Sequence, residues 1–137
     1  MAKSDPVAEG IAKFYDGCDE DRRLAKDIGP LEEARSRELI QRYFPSPPAI
    51  VCDLGGATGA YSFWMAGLGY QVHLVDITPA HIEKALRKTR EPDAPRLVRA
   101  IVGDARHLEY PDETFDAVWM HGPLYHLVER ADRIAAL

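Results

Sequence analysis

A short apolar run that ends in a carboxylate and a glycine-rich turn limits the folds open to this chain more than any other segment does. The run covers residues 49–54 (Ala-Ile-Val-Cys-Asp-Leu), and Gly55, Gly56 and Gly59 follow it. An apolar run of this length is typical of a strand that is buried on both faces of a sheet. A turn with almost no side chains lets a ligand come close to the backbone. The segment therefore predicts a central strand with a ligand site at its carboxyl end.

Strands and helices alternate after this turn. Further strands are predicted over residues 71–76, 97–102 and 115–120, and helices over residues 61–68 and 79–90. Thr78 is expected at the N-cap of the second helix, because Pro79 then occupies the first helical position. This alternation predicts an α/β fold with a parallel, Rossmann-like sheet, right-handed crossovers and helices on both faces. We expect the strand order 3-2-1-4.

The segment before the first strand is predicted to be helical. Helices are expected over residues 5–44, where Asp5 caps the first helix and Pro6 opens it. Three prolines in residues 45–48 end this segment. A chain of 137 residues supports one hydrophobic core. We therefore predict a single domain over residues 1–137, with a helical N-terminal cap (1–48) and a Rossmann-like core (49–137).

The last segment predicts that this sheet is incomplete. Residues 125–137 are expected to form an amphipathic helix, and no Gly, Asn or Pro ends it. The strand Phe115–Met120 would keep one unpaired backbone edge, which natural α/β domains avoid. We expect the chain to be truncated within its fold, and either further sequence or a second copy in a homodimer to cover this edge.

Charge and composition exclude several classes of function. Seventeen Lys and Arg against 22 Asp and Glu give a net charge of −5, so there is no basic field to bind a nucleic-acid backbone. No uncharged apolar run approaches the roughly 20 residues that a membrane span needs. The two cysteines, Cys18 and Cys52, are too few for a disulfide framework and favour a reducing, cytoplasmic setting. The five histidines are dispersed, so no metal site is predicted.

Three aspartates fall at the predicted carboxyl ends of strands. Asp53 precedes the glycine turn, Asp76 ends the second strand, and Asp104 follows the third. The carboxyl ends of parallel strands meet at the edge of the sheet where α/β proteins bind ligands. Asp76 lies at a spacing from the turn that suits an acceptor for both hydroxyls of a ribose. These positions predict a cofactor that contains adenosine.

The charge at the turn separates two classes of cofactor. In an NAD-binding domain the anionic pyrophosphate would lie beside Asp53, and the Gly-x-Gly-x-x-Gly spacing would read Gly55, Ala57 and Ala60. S-adenosylmethionine (SAM) has no phosphate but carries an ammonium and a sulfonium, which a nearby carboxylate stabilises. The residues favour SAM, and an NAD-binding domain is the weaker alternative.

Four stretches resemble, in order, the motifs of class I SAM-dependent methyltransferases, in particular the bacterial small-molecule type. They are residues 51–59 (Val-Cys-Asp-Leu-Gly-Gly-Ala-Thr-Gly), 73–76 (His-Leu-Val-Asp), 102–105 (Val-Gly-Asp-Ala) and 115–127 (Phe-Asp-Ala-Val-Trp-Met-His-Gly-Pro-Leu-Tyr-His-Leu). The resemblance covers nearly the whole chain. It implies that SAM is the cofactor and that S-adenosylhomocysteine is the product.

The resemblance implies one group of residues at the amino-acid end of the cofactor. Gly55 and Gly59 would pass the methionine part of SAM, with Asp53 near its ammonium. Tyr15 and Arg35 of the leading helices would line the same end, as the leading helices of family members often do, and an exposed surface position is the simpler alternative for Arg35.

A second group follows from the same resemblance. Asp76, with Ile77 beside it, would bind the ribose hydroxyls. Asp104 would face the adenine amino group with Ala105 next to it. His121 would start the loop near the methyl group, where an imidazole can also serve as general base.

The sequence departs from the family at two points. Ala57 replaces the middle glycine that many members carry, which places a methyl group where backbone and cofactor come close. Family members also continue from the last helix into further strands and part of the acceptor pocket. No Asn-Pro-Pro-Tyr or Asp-Pro-Pro-Tyr follows the fourth strand, which argues against methylation of nucleobase amino groups.

These features predict methyl transfer from SAM to an O, N or C nucleophile of a small-molecule acceptor. A second hypothesis is a SAM-binding remnant without catalysis, or a half-domain that depends on a partner. The NAD-binding domain comes third.

Overall fold

The structure of this chain, a computed structural model, describes residues 5–137, except for the side chains of residues 20 and 21. Within this range, helices come first and strands then alternate with helices. The elements are α1 (Pro6–Tyr15), α2 (Glu20–Leu24), α3 (Gly29–Tyr43), β1 (Ile50–Leu54), α4 (Ala60–Gly67), β2 (Gln71–Asp76), α5 (Pro79–Lys88), β3 (Arg99–Val102), β4 (Ala117–Met120), α6 (Pro123–His126) and α7 (Arg130–Ala136). The predicted α/β class is confirmed.

The strands form one parallel sheet in the order β3-β2-β1-β4, which confirms the predicted order 3-2-1-4. Asp53 of β1 lies opposite Leu74 of β2 and Trp119 of β4. Asp76, the last residue of β2, is in register with Val102 of β3. The glycine turn, Asp76 and the loops after β3 and β4 therefore meet at one edge of the sheet.

The two faces of the central strands are covered by separate apolar clusters. Val51 and Cys52 are neighbours in β1 and both are fully buried, so they point to opposite faces. Val51 packs in a cluster with Ile40 of α3 and Met65 of α4. Cys52 packs in a different cluster with Val75 of β2. The unbroken apolar run of β1 is explained by this burial on both faces.

The outer strands are shorter and less buried than the central pair. β3 begins at Arg99 and β4 at Ala117, each two residues later than predicted. Val102 of β3 keeps 51% of its surface exposed and Val118 of β4 keeps 49%. Among the described strands, β3 and β4 each have a neighbour on one side only.

The single helix predicted over residues 125–137 is wrong. The structure has α6 and α7 instead, and Leu127 between them adopts an extended conformation with φ −91° and ψ 91°. Leu127 is 4% exposed, so its apolar side chain is buried where a continuous helix was expected. Arg133 donates hydrogen bonds to the carbonyl oxygens of Leu127 and Val128 at 2.6 and 2.7 Å, which satisfies the backbone at the break. No helix of the described range is long and apolar enough to cross a membrane.

Candidate functional site

A concave pocket lies at the carboxyl edge of the sheet, between the glycine turn, α1 and the segment after β4. Most of the residues predicted to bind a cofactor line it. They are Tyr15, Asp53, Gly55, Asp76, Ile77, Asp104, Ala105 and His121. Gly59 and Arg35 are not among the lining residues. The fold thus gathers residues that are up to 106 positions apart in the chain, from Tyr15 to His121.

Arg35 lies away from the pocket, contrary to its expected place at the amino-acid end of a cofactor. Its guanidinium pairs with Glu38 at 2.6 Å, one turn along α3, and 57% of the Arg35 side chain is exposed. The leading helices do reach the pocket, but through Ile11 and Tyr15 of α1 and Arg23 and Leu24 of α2. An exposed surface pair accounts for Arg35.

The glycine turn has a backbone that requires small residues. Gly55 has a positive φ of 75°, and a Cβ built there would lie 2.5 Å from Cγ of Pro123. Gly59 has a φ of 90° and is the N-cap of α4, where a Cβ would meet Phe63 at 3.0 Å. Gly55 therefore faces the pocket, whereas Gly59 shapes the turn from the side that packs on the core. Ala57 adopts a left-handed φ of 50°.

Asp53 is the most deeply buried acid of the site, with 1% of its surface exposed. Its Oδ2 accepts a hydrogen bond from the Ser62 hydroxyl at 2.6 Å. Burial raises the pKa of Asp53 to about 7, the negative charge of Asp76 adds to the rise, and the Ser62 bonds oppose it. The carboxyl group therefore holds its proton to a higher pH than an exposed aspartate does, and a cation placed beside it would favour the ionised form.

Asp76 is held by three hydrogen bonds from the protein. Its Oδ1 accepts from the backbone N–H of Thr78 at 2.9 Å and lies 3.1 Å from Nδ1 of His81. Its Oδ2 accepts from the backbone N–H of Ala57 at 2.9 Å. Thr78 is the N-cap of α5 as predicted, but its hydroxyl makes no cap hydrogen bond. The sequence predicts that Thr78 alone caps this helix. In the structure the Asp76 carboxylate also contributes, because it accepts from the backbone N–H of Thr78.

Asp104 is paired with an arginine that sequence reasoning missed. Nε of Arg106 lies 3.1 and 3.2 Å from the two carboxylate oxygens, and Nη2 lies 2.6 Å from Oδ2. Arg106 also pairs with Asp5 at the start of α1 and, at 3.3 Å, with Asp132 of α7. Burial alone would raise the pKa of Asp104, but the hydrogen bonds from Arg106 outweigh it and hold the pKa below its usual value. One guanidinium thus joins the pocket, α1 and α7.

The side chain of Tyr15 brings α1 to the segment after β4. Its hydroxyl lies 2.6 Å from Nε2 of His126 and 3.1 Å from the Tyr125 hydroxyl. All three residues line the pocket. His126 therefore belongs to the pocket wall.

His121 lies at the mouth of the pocket and is half-exposed. Its ring stacks on Trp119, with centroids 5.5 Å apart and planes at 24°. Nδ1 lies 3.9 Å from Oε1 of Glu32 in α3. Two hydrogen bonds from Arg23 lower the pKa of Glu32, so Glu32 stays ionised and able to stabilise a protonated His121.

Four residues of the pocket wall carry buried polar atoms that have no hydrogen-bond partner in the described part of the chain. These atoms are the hydroxyl of Tyr61, Oγ1 of Thr78, Nε2 of His81 and Nε1 of Trp119. Buried polar groups are nearly always paired in folded proteins, so such a cluster indicates a place where a polar ligand supplies the partners. Thr78 and His81 adjoin Asp76, where a ribose was predicted, so the residues present fit a ligand with hydroxyl groups at this point. Sequence spacing gave no signal for the indole of Trp119.

Within the described residues, no group of three or more His, Cys, Asp or Glu side chains is arranged to hold a metal ion.

Comparisons with known proteins agree on one family. Residues 51–137 match the family described as "Methyltransferase domain". The methyltransferase GfsG of Streptomyces halstedii is 30% identical over 107 residues, which is 75% of this chain and 38% of that protein. The cypemycin N-terminal methyltransferase of a Streptomyces species is 33% identical over 99 residues, 72% of this chain and 38% of that protein. The chain thus spans less than two fifths of these curated relatives.

A solved structure supports the same fold. The PH0226 protein from Pyrococcus horikoshii OT3 superposes with a TM-score of 0.68 at 25% sequence identity. The match covers 88% of this chain and 58% of that one.

Proposed function

This chain belongs to the class I SAM-dependent methyltransferase family, and we propose that its pocket binds SAM and directs the sulfonium methyl group to a small-molecule acceptor. The observation that carries this proposal is the convergence of Asp53, Asp76 and Asp104 on one pocket, beside buried polar atoms that have no partner among the described residues. An acid-lined pocket suits the ammonium and sulfonium of SAM, whereas the pyrophosphate of NAD would meet like charge.

The proposed contacts follow the placement of each residue. Asp76 receives the ribose through Oδ2, because this oxygen accepts only from the Ala57 N–H and keeps a second acceptor site, whereas Oδ1 already accepts from Thr78 and His81. Asp53 faces the ammonium, which shifts its carboxyl group toward the ionised form. Gly55 leaves room for the methionine part. Ile77 and Ala105 contact the adenine.

The role of Asp104 is proposed with one difference from the sequence expectation. Arg106 occupies both oxygens of this carboxylate, so a hydrogen bond from the adenine amino group would share an oxygen that already accepts from arginine. Asp104 therefore contributes to the adenine end both as an acceptor and by fixing the loop after β3.

The chemical step needs positioning more than activation. When bound, SAM supplies an electrophilic methyl group, so the chain needs no covalent nucleophile. Aligning acceptor and methyl group and excluding water accounts for roughly 7–11 kcal/mol of the barrier in well-oriented reactions. We assign to His121 the uptake of the proton that a protic acceptor loses as its bond to the methyl group forms, because its imidazole lines the pocket and lies near Glu32.

The acceptor is proposed only as a class, an O, N or C nucleophile on a small molecule. One relative, the cypemycin N-terminal methyltransferase, is named for methylation at the N-terminus of cypemycin, and this chain departs from the nucleobase-methylating motif after β4. A second candidate is a SAM-binding module that needs another chain segment for catalysis. It is favoured by one observation: among the described strands β4 has a neighbour on one side only, so this edge is open to a further strand.

We also propose a partner for the edge of β4. Val118 is half-exposed on this strand, and Ile134 and Leu137 are 54% and 84% exposed after it. A strand from a longer protein, or a second copy of this chain in a homodimer, would pair with the edge and cover these side chains.

Calorimetry with SAM, S-adenosylhomocysteine and NAD on the same preparation tests the cofactor. We expect the first two to bind and NAD to give no heat of binding. Asp76→Asn should weaken SAM binding by about 1–3 kcal/mol, because the ribose loses a charged acceptor. Asp112→Asn, in an exposed turn outside the pocket, is the matched control. Tight NAD binding without a response to SAM would overturn the proposal.

A further inference from the structure

We propose that His81 recognises the ribose of the cofactor. Its Nε2 accepts a hydrogen bond from one of the ribose hydroxyls. This inference rests on the proposed function, because it requires an adenosine ligand in the pocket. His81 lies in α5, five residues after Asp76, and lines the same pocket. The sequence predicts no role for His81, which is one of five dispersed histidines.

The burial of His81 sets a requirement that the described residues leave unmet. The residue is 3% exposed, and its Nε2 is buried without a hydrogen-bond partner. An imidazole with one ring nitrogen unpaired in the interior is an exception among buried polar groups. The neighbouring hydroxyl of Thr78, 1% exposed, is unpaired as well. Two unpaired polar atoms on adjoining residues point to a ligand with more than one polar group.

The contact with Asp76 determines which ring nitrogen of His81 can accept a hydrogen bond. Its Oδ1 lies 3.1 Å from Nδ1 of His81. An ionised carboxylate has no proton to donate, so Nδ1 carries the proton of the neutral ring. Nε2 is then left with a lone pair and accepts an O–H group. The pair therefore offers a ribose two kinds of acceptor, a carboxylate and an imidazole nitrogen, fixed to each other by one hydrogen bond.

The orientation of the ring is also fixed from the other side. The ring of Tyr15 meets that of His81 edge-on, with centroids 5.6 Å apart. Tyr15 itself is anchored to His126 at 2.6 Å. The imidazole is held between Asp76 and an aromatic ring of α1, which is the preorganisation that a specificity residue needs.

A purely structural histidine is the alternative, and paired changes in protein and ligand separate the two. The ligands are 5′-methylthioadenosine and its 2′-deoxy and 3′-deoxy analogues, with affinities measured by calorimetry. His81→Asn is the main variant, because the asparagine amide can still donate to Asp76 but does not reach the position of Nε2. His107→Asn, an exposed histidine outside the pocket, is the matched control.

In wild type and in the control, loss of the ligand hydroxyl that bonds to Nε2 should weaken binding. We expect this factor to be about three- to tenfold larger than the factor for the same ligand change in His81→Asn. His81→Asn should bind that deoxy analogue as wild type does and lose the same factor for the parent compound. Equal losses for parent and both analogues, or no loss at all, would overturn the inference. Failure of wild type to bind SAM as well as these ligands would instead overturn the proposed function.

Discussion

The backbone N–H of Ala57 donates a hydrogen bond to Oδ2 of Asp76 across 2.9 Å. This contact ties the glycine turn after β1 to the last residue of β2. It holds the Asp76 carboxylate at the pocket edge, and it also holds Ala57 in a left-handed conformation with a φ of 50°. The site is thus shaped in part by a backbone geometry that alanine adopts at a cost.

Ala57→Gly should stabilise the protein. Glycine removes a conformational cost of about 1–2 kcal/mol, and its greater freedom in the unfolded chain offsets about 0.4–1 kcal/mol of that gain. We expect a net gain of roughly 0.5–1 kcal/mol in urea unfolding. Ala12→Gly, in the right-handed backbone of α1, should instead lose about 0.5–1 kcal/mol. Equal losses in both variants would show that the turn is relaxed with alanine.

Asp53→Asn should change how stability depends on pH. The pKa of Asp53 is raised from 3.8 to about 7 by burial, so between these values the unfolded state releases a proton that the folded state keeps. The contribution of Asp53 to stability is therefore full below about pH 4 and is lost as pH rises to about 7.

Asp53→Asn has no carboxyl group to titrate at this position, so it does not lose this stability as pH rises. Relative to wild type, Asp53→Asn should gain on the order of 4 kcal/mol between pH 4 and pH 7, measured by urea unfolding at each pH. The exposed Asp112→Asn should run parallel to wild type. A constant difference between wild type and Asp53→Asn across this range would show that Asp53 is ionised throughout.

SAM binding should in turn become tighter as pH rises toward neutrality. If the ammonium of SAM lies beside Asp53, binding favours the ionised carboxylate and releases a proton below about pH 7. Calorimetry in buffers of different ionisation heat measures this proton directly. Asp53→Asn should release none, and an identical release in the variant would assign the proton to another group.

Arg106→Met should loosen both ends of the described chain. The side chain of Arg106 is 5% exposed, and its guanidinium pairs with Asp5, Asp104 and Asp132. Its loss leaves Asp104 partly buried without its partner, and we expect a cost of about 3 kcal/mol in urea unfolding. Hydrogen exchange should rise in α1 and α7 together. Arg87→Met, which removes an exposed pair with Glu83, is the control and should cost no more than about 0.5 kcal/mol.

The edge of β4 should govern self-association. At tens of micromolar we expect light scattering to give a mass above that of one chain, because Val118 lies half-exposed on β4, which has a neighbour on one side only among the described strands. Val118→Lys should lower the measured mass, whereas Val98→Lys, exposed in the segment before β3, should not. A monomer with cooperative melting would show that this edge needs no cover.

The sequence by itself determined the order of elements and the position of the pocket. Both depend on short-range signals: the apolar run of β1, the glycine turn, and acids at the ends of strands whose register a parallel sheet then aligns. Each of these signals spans only a few residues, and the handedness of the crossovers leaves little choice in how the strands assemble. The placement of Asp53 and Asp76 at one pocket followed from them.

The tertiary structure alone decided which side chains face one another across the pocket. Arg106 meets Asp5 over 101 positions, and Tyr15 meets His126 over 111. Periodicity says nothing about such pairs, because they depend on how α1 and the segment after β4 close over the sheet. The break at Leu127 has the same origin: burial of one apolar side chain outweighed the local helical pattern. The unpaired Nε2 of His81 likewise becomes visible only when the pocket wall is complete.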